Sequence, residues 1–193
     1  MKLGIINTAC ANLASLEFAL KRLDFSVFIS DNIKELEKAD KLFLPGVGTA
    51  YKAMLSLEQK RLVDFIKNTK KPLLGICLGM QILGEFSQEL NQKTLGIMSF
   101  ETLKFSQKEG FSLPHMGWND VTSSHALFKG LNGAFFYFVH SYCVKQSEDK
   151  IATCTYSENF IASIAKNNFY GVQFHPERSG EAGEMLLRNF VKL

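Results

Sequence analysis

The stretch Pro72-Leu73-Leu74-Gly75-Ile76-Cys77-Leu78-Gly79-Met80-Gln81 decides how this chain folds. Leu73 to Ile76 is a short apolar run entered through a proline, the pattern of a buried strand. A helical pattern from Leu78 to about Phe86 follows almost at once, so the turn between them is very tight. Gly75 and Gly79 flank Cys77 in a Gly-x-nucleophile-x-Gly pattern, with Cys in the place of Ser. Two glycines let strand and helix pack closely and leave the central side chain projecting at the strand tip. There the positive end of the helix favours a thiolate over a thiol. The Leu78 N–H is then placed to donate to a developing oxyanion. Cys77 also has a plainer reading as a small buried hydrophobe, which the flanking glycines disfavour.

Strand and helix patterns alternate on the N-terminal side of this turn. Lys2 to Asn7 reads as a strand, and Asn12 is a candidate N-cap for a helix carrying Leu13, Leu16, Leu20 and Leu23. Phe25 to Ile29 reads as a strand, Ile33 to Ala39 as a short helix, and Lys41 to Leu44 as a strand stopped by Pro45-Gly46. A helical pattern runs from Thr49 to Asn68. Such alternation predicts an α/β fold, a central mostly parallel sheet flanked by helices. The second half reads as β-rich, with runs at Ala134 to His140, Lys150 to Thr155, Ile161 to Lys166 and Phe169 to Phe174. A last helix, Gly180 to Val191, carries Ala182, Met185, Leu186 and Phe190 on one face. No linker, repeat or low-complexity segment divides the chain, so one domain over residues 1–193 is expected.

Composition narrows the function classes. The chain has 193 residues, against roughly 150 for an ordinary domain. Its 22 basic and 19 acidic residues form no dense basic block of the kind a nucleic-acid binder presents. The longest apolar stretch, Leu73 to Leu83, is too short and too interrupted to span a bilayer, and the first residues lack a signal-peptide pattern. Cys10, Cys77, Cys143 and Cys154 show neither a CxxC nor a zinc-like spacing. The expectation is a reduced, cytoplasmic protein with no metal and no cofactor.

A nucleophilic thiol needs a base, and the segment Gly171-Val172-Gln173-Phe174-His175-Pro176-Glu177 offers one. On an extended backbone residues i and i+2 point the same way, and Pro176 is expected to keep the segment extended and block a helix. Glu177 can then hold the imidazole of His175 in one tautomer while its other nitrogen takes a proton from a thiol. His115, His125 and His140 have no carboxylate at i+2, and His140 reads as a core or pocket-wall residue. The turn Leu44-Pro45-Gly46-Val47-Gly48 can complete an oxyanion hole with backbone N–H groups, hold an anion, or only reverse the chain. It lacks the ending of a P-loop.

Together these segments resemble class I (triad) glutamine amidotransferases. Within that family the likeness is to the HisH branch, the glutaminase subunits of imidazole glycerol phosphate synthase. The stretches that carry it are KLFLPGVGT (41–49), GICLGMQ (75–81), PHMGWN (114–119), YFVHSY (137–142) and FYGVQFHPERSG (169–180), in the family's order. The resemblance implies hydrolysis of glutamine to glutamate and ammonia through a thioester on Cys77, with His175 as base and acid and Glu177 orienting it. It implies an oxyanion hole from the backbone of Leu78 and of Gly46 or Val47, and glutamine recognition by Gln81, Glu89, Ser141 and Tyr142. It also implies a heterodimer with a (β/α)₈ cyclase of the HisF type, which would receive the ammonia to form imidazole glycerol phosphate in histidine biosynthesis. Asn12, Met116, Trp118, Asn119 and Arg178 match the partner-facing side. From the residues alone, Asn12 is equally a plain N-cap, Trp118 a core residue or an interface anchor, and Arg178 a solvated cation. Three other readings stay open: ammonia supply to a different acceptor synthase, a stand-alone thiol hydrolase of the same fold, and a non-catalytic assembly partner.

Overall fold

A computed structural model describes residues 1–9 and 11–193. Strands β1 (Lys2–Ile6), β2 (Ser26–Ser30), β3 (Lys41–Gly46) and β4 (Leu73–Cys77) alternate with helices α1 (Leu13–Arg22), α2 (Ile33–Leu36), α3 (Ala50–Gln59) and α4 (Val63–Asn68). Helix α5 (Leu78–Gln81) leaves β4 directly. Then come β5 (Phe86–Ser87), β6 (Gln92–Lys93), β7 (Glu101–Lys104), β8 (His115–Asp120), β9 (Phe135–His140), β10 (Tyr142–Val144), β11 (Lys150–Thr155), β12 (Asn159–Lys166) and β13 (Phe169–Val172). Helix α6 (Gly180–Lys192) closes the chain.

The main sheet runs β2-β1-β3-β4-β13-β12-β10-β7-β5-β6, with β11 on β12. It is parallel from β2 to β13 and antiparallel from β13 to β7. The chain thus has the expected mostly parallel centre and β-rich second half. Strands buried on both faces read as unbroken apolar runs, and β3 and β4 show why. Phe43, Leu74 and Ile76 pack with α1 and α6 residues such as Leu16, Leu20, Leu186 and Phe190. Leu42, Leu44 and Leu73 pack instead with Leu57 and Ile66 of α3 and α4. The pair β8–β9 stands apart as a small antiparallel ribbon, with Met116 opposite Val139 and Trp118 opposite Tyr137.

Three local expectations are corrected. The helix read over 49–68 is two helices, broken where Arg61 takes φ +56°. There the Leu62 N–H returns to the Leu57 carbonyl at 2.9 Å, which closes α3 with a left-handed cap. The helix read from Leu78 to about Phe86 stops at Gln81. The carbonyls of Ile82, Leu83 and Gly84 accept from the N–H groups of Leu95, Ile97 and Gly96 instead of extending the helix. On α6 the buried set is Leu186, Leu187, Phe190 and Val191, while Met185 is 43% exposed.

Candidate active site

At the end of β4 the chain reverses into α5 through Cys77, whose φ of 55° and ψ of −111° lie where an L-residue is strained. Such a conformation persists only when the surroundings enforce it, and two glycines do so. A Cβ on Gly79 would sit 1.7 Å from the Leu44 carbonyl oxygen, and one on Gly75 would sit 2.6 Å from the Gly79 oxygen. Strand β3, β4 and α5 are therefore packed backbone to backbone, and Cys77 is left 7% exposed at the strand tip. Gly46, opposite Cys77 in the ladder, has the backbone of Gly79 within 3.0 Å of where its Cβ would be.

His175 enters from the strand next door, just beyond β13. Its Nδ1 is 2.7 Å from Oε1 of Glu177, and both side chains are buried. The backbone that achieves this is not the expected extended one. Pro176 opens a 3-10 turn over Pro176–Arg178, as a proline does readily in a first helical position. The contact survives because the turn brings Glu177 back under the ring. Burial alone would push the imidazolium down, but the Cys77 sulfur beside it and the Glu177 carboxylate outweigh burial and raise the pKa to about 10. Nε2 of His175 is buried with no hydrogen-bond partner among the described residues. The ring lines the same cavity as the Cys77 sulfur, and no described residue hydrogen-bonds that nitrogen.

Around the sulfur lies a cavity of about 310 Å³ whose lining includes Val47, Leu78, Gln81, Glu89, Ser141 and Tyr142 together with Cys77 and His175. Those residues come from distant parts of the chain. Gln81 is almost fully buried, its Nε2 donating to the Tyr142 carbonyl at 2.9 Å and to Oε1 of Gln173 at 2.9 Å. Glu89 accepts from the Ala50 N–H at 3.2 Å, at the start of α3. Pro114 and Val139 line the same cavity. Neither carries a chemical signal of its own, and only the ribbon β8–β9 brings them there. His140 is a wall residue, as expected. Among the described residues no cluster of His, Cys, Asp and Glu could hold a metal ion.

The sequence model of glutamine amidotransferase class-I matches residues 3–193. The chain belongs to the class-I glutamine amidotransferase family. It is 70% identical over its whole length to 98% of the imidazole glycerol phosphate synthase subunit HisH 2 of Campylobacter jejuni (strain RM1221). It is 49% identical over its whole length to 98% of the subunit HisH 1 of Vibrio vulnificus (strain YJ016). A crystal structure of a glutamine amidotransferase shares the fold at a TM-score of 0.77 and 17% identity, with 98% of this chain and 97% of that one aligned.

The residues read as partner-facing fall into two groups in this amidotransferase. Met116 and Trp118 are 66% and 56% exposed on one face of β8, with Trp118 edge-on to Tyr137 at 6.2 Å. The Arg178 guanidinium lies 5.9 Å above the same Tyr137 ring, so the three form one surface. Asn119 does not join them. One residue along a strand reverses the face, and its amide turns inward to donate to the Thr155 carbonyl at 2.8 Å. Asn12 is exposed and does cap α1, accepting from the Ser15 N–H at 3.3 Å. Burial pushes the Cys143 and Cys154 thiols up to about 12, which makes them inert. Cys10 lies outside the described residues.

Proposed function

We propose that this amidotransferase is the glutaminase subunit of a two-protein imidazole glycerol phosphate synthase. On this reading the Cys77 thiolate attacks the side-chain carbonyl carbon of glutamine. The oxyanion that forms accepts from the Leu78 N–H and from an N–H of the Gly46–Val47 turn. His175, charged through Nε2, gives its proton to the departing nitrogen, and ammonia leaves as the thioester forms. The ring then takes a proton from water, which attacks the thioester and releases glutamate. Glu177 keeps the ring aligned throughout. Gln81, Glu89 and the main chain of Ser141 and Tyr142 hold the amino-acid end of the substrate.

The observation that carries the reading is the buried Glu177–His175 pair whose free Nε2 shares a cavity with Cys77. The acceptor is read as a (β/α)₈ cyclase of the HisF type, because relatives matched over nearly their full length are named as subunits of that synthase. The exposed surface of Met116, Trp118 and Arg178 is the proposed contact. No helix is long and apolar enough to cross a membrane among the described residues. A cytoplasmic location fits the free thiols of Cys77, Cys143 and Cys154.

A glutaminase assay with and without a HisF-type partner and its nucleotide ligand tests the proposal. The chain alone is expected to turn over slowly, and the partner to raise the rate strongly. Ammonia supplied directly should support the cyclase without this chain. Equal glutaminase rates with and without partner would sink the coupled reading. Cys77→Ala should abolish hydrolysis while leaving the complex intact on gel filtration.

A further inference from the structure

Gln173 stands in the motif that ends at His175, and no step above uses it. Its side chain is fully buried. Nε2 donates toward the Cys77 sulfur at 3.7 Å, and Oε1 accepts from Gln81 at 2.9 Å. Which end of the amide faces the sulfur is not arbitrary. A carbonyl oxygen only accepts, and that of Tyr142 accepts from Gln81 Nε2 at 2.9 Å and from His140 Nδ1 at 2.8 Å. Gln81 is thereby committed to present its nitrogen, and its second proton goes to Oε1 of Gln173. Gln173 then has only its NH₂ group left to offer the sulfur. On the far side the same carbonyl makes His140 a donor through Nδ1. Its Nε2 therefore accepts from Nδ1 of His115 at 3.1 Å, and Nε2 of His115 faces the Asn119 amide at 3.5 Å. The chain of donors runs in one sense from Asn119 to the Tyr142 carbonyl, with both rings neutral.

An N–H aimed at sulfur bonds more strongly when the sulfur is charged. A neutral amide gives that preference without offering a proton that competes with His175. We propose that Gln173 is a further catalytic residue of this enzyme: its amide holds the Cys77 sulfur in the anionic, attacking form, and the Tyr142 carbonyl, through Gln81, keeps the amide the right way round. The proposal rests on Cys77 being the nucleophile.

Alkylation of Cys77 by iodoacetamide, followed across pH by peptide mass spectrometry on the full chain, reads the thiolate without requiring turnover. Gln173→Leu removes the donor and is expected to slow alkylation at neutral pH about tenfold and to move its pH midpoint upward. Gln173→Glu sets an anionic oxygen beside the sulfur and should move the midpoint further the same way. With the partner present, kcat for glutamine should fall in step while KM changes less. Unchanged alkylation midpoints in the folded variants overturn the proposal; if the leucine variant does not fold, the near-isosteric glutamate variant decides. A parent chain whose Cys77 alkylates at low pH but which hydrolyses no glutamine with its partner sinks the glutaminase reading and leaves the role of Gln173 standing.

Discussion

The Cys77 sulfur strengthens the hold of the His175 ring on its proton, and that effect is measurable. The sulfur is a main reason the His175 ring holds its proton against burial. Cys77→Ala removes that support, so NMR titration should show the ring losing its charge at a lower pH than in the parent chain. A titration unchanged by the substitution would mean that Glu177 alone sets it. Glu177→Gln keeps the volume but loses the carboxylate that orients Nδ1 at 2.7 Å. It should lower kcat on the order of 10³-fold or more, and because it removes one member of a buried charged pair it should also lower the unfolding temperature. The other buried ring pair works in the opposite direction. Burial lowers His115 to about 4 and His140 to about 3, both from 6.5. Below pH 6.5 the unfolded chain therefore binds protons that the native state refuses, so stability falls as pH falls through the window from 6.5 to about 4. Melting temperatures taken across that window should drop, and the imidazole signals of both rings should stay neutral at about pH 5. A ring found charged there, in folded protein, would contradict the single-sense donor chain.

At the scale of elements, the strand-to-helix turn is set by backbone contact. Gly79→Ala places a Cβ 1.7 Å from a main-chain oxygen that no side-chain rotation can relieve. Destabilisation of roughly 3 kcal/mol or more in urea unfolding is expected, together with loss of the strained Cys77 geometry and hence of activity. Full activity in that variant would show that the turn does not shape the nucleophile. The elements that the residues announced are those with strong periodicity, such as β1, α1, β4, β13 and α6. Strand β8 was not announced, because His115-Met116-Gly117-Trp118-Asn119-Asp120 contains residues that pair poorly on their own. It forms because β9 lies opposite it residue for residue. Helix α5 was expected to be longer because an apolar run looks the same to either structure; the carbonyls that would extend it, those of Ile82, Leu83 and Gly84, bond instead to the chain over Leu95, Gly96 and Ile97.

For the whole molecule, the sheet brings the tips of β4 and β13 side by side, and so sets Cys77 next to the chain leading into His175. The β8–β9 ribbon then covers the site on one side and turns Met116 and Trp118 to solvent. Trp118→Ala should weaken binding of a HisF-type partner by about 2 kcal/mol, roughly 30-fold, while the isolated chain melts as before. Partner affinity unchanged in that variant would move the interface elsewhere. The residues by themselves determined the elbow and marked out Cys77 and His175 as the proposed nucleophile and base, because each is written in a few consecutive positions under local steric rules. Glycine is needed where backbones touch, and a carboxylate two residues from an imidazole reaches it in an extended segment or in the tight turn found here. Only the tertiary structure decided which way Asn119 turns, what walls the cavity, and that Gln173 faces the sulfur. Those depend on which donor stands opposite which acceptor, and such pairings are made between segments far apart in the chain.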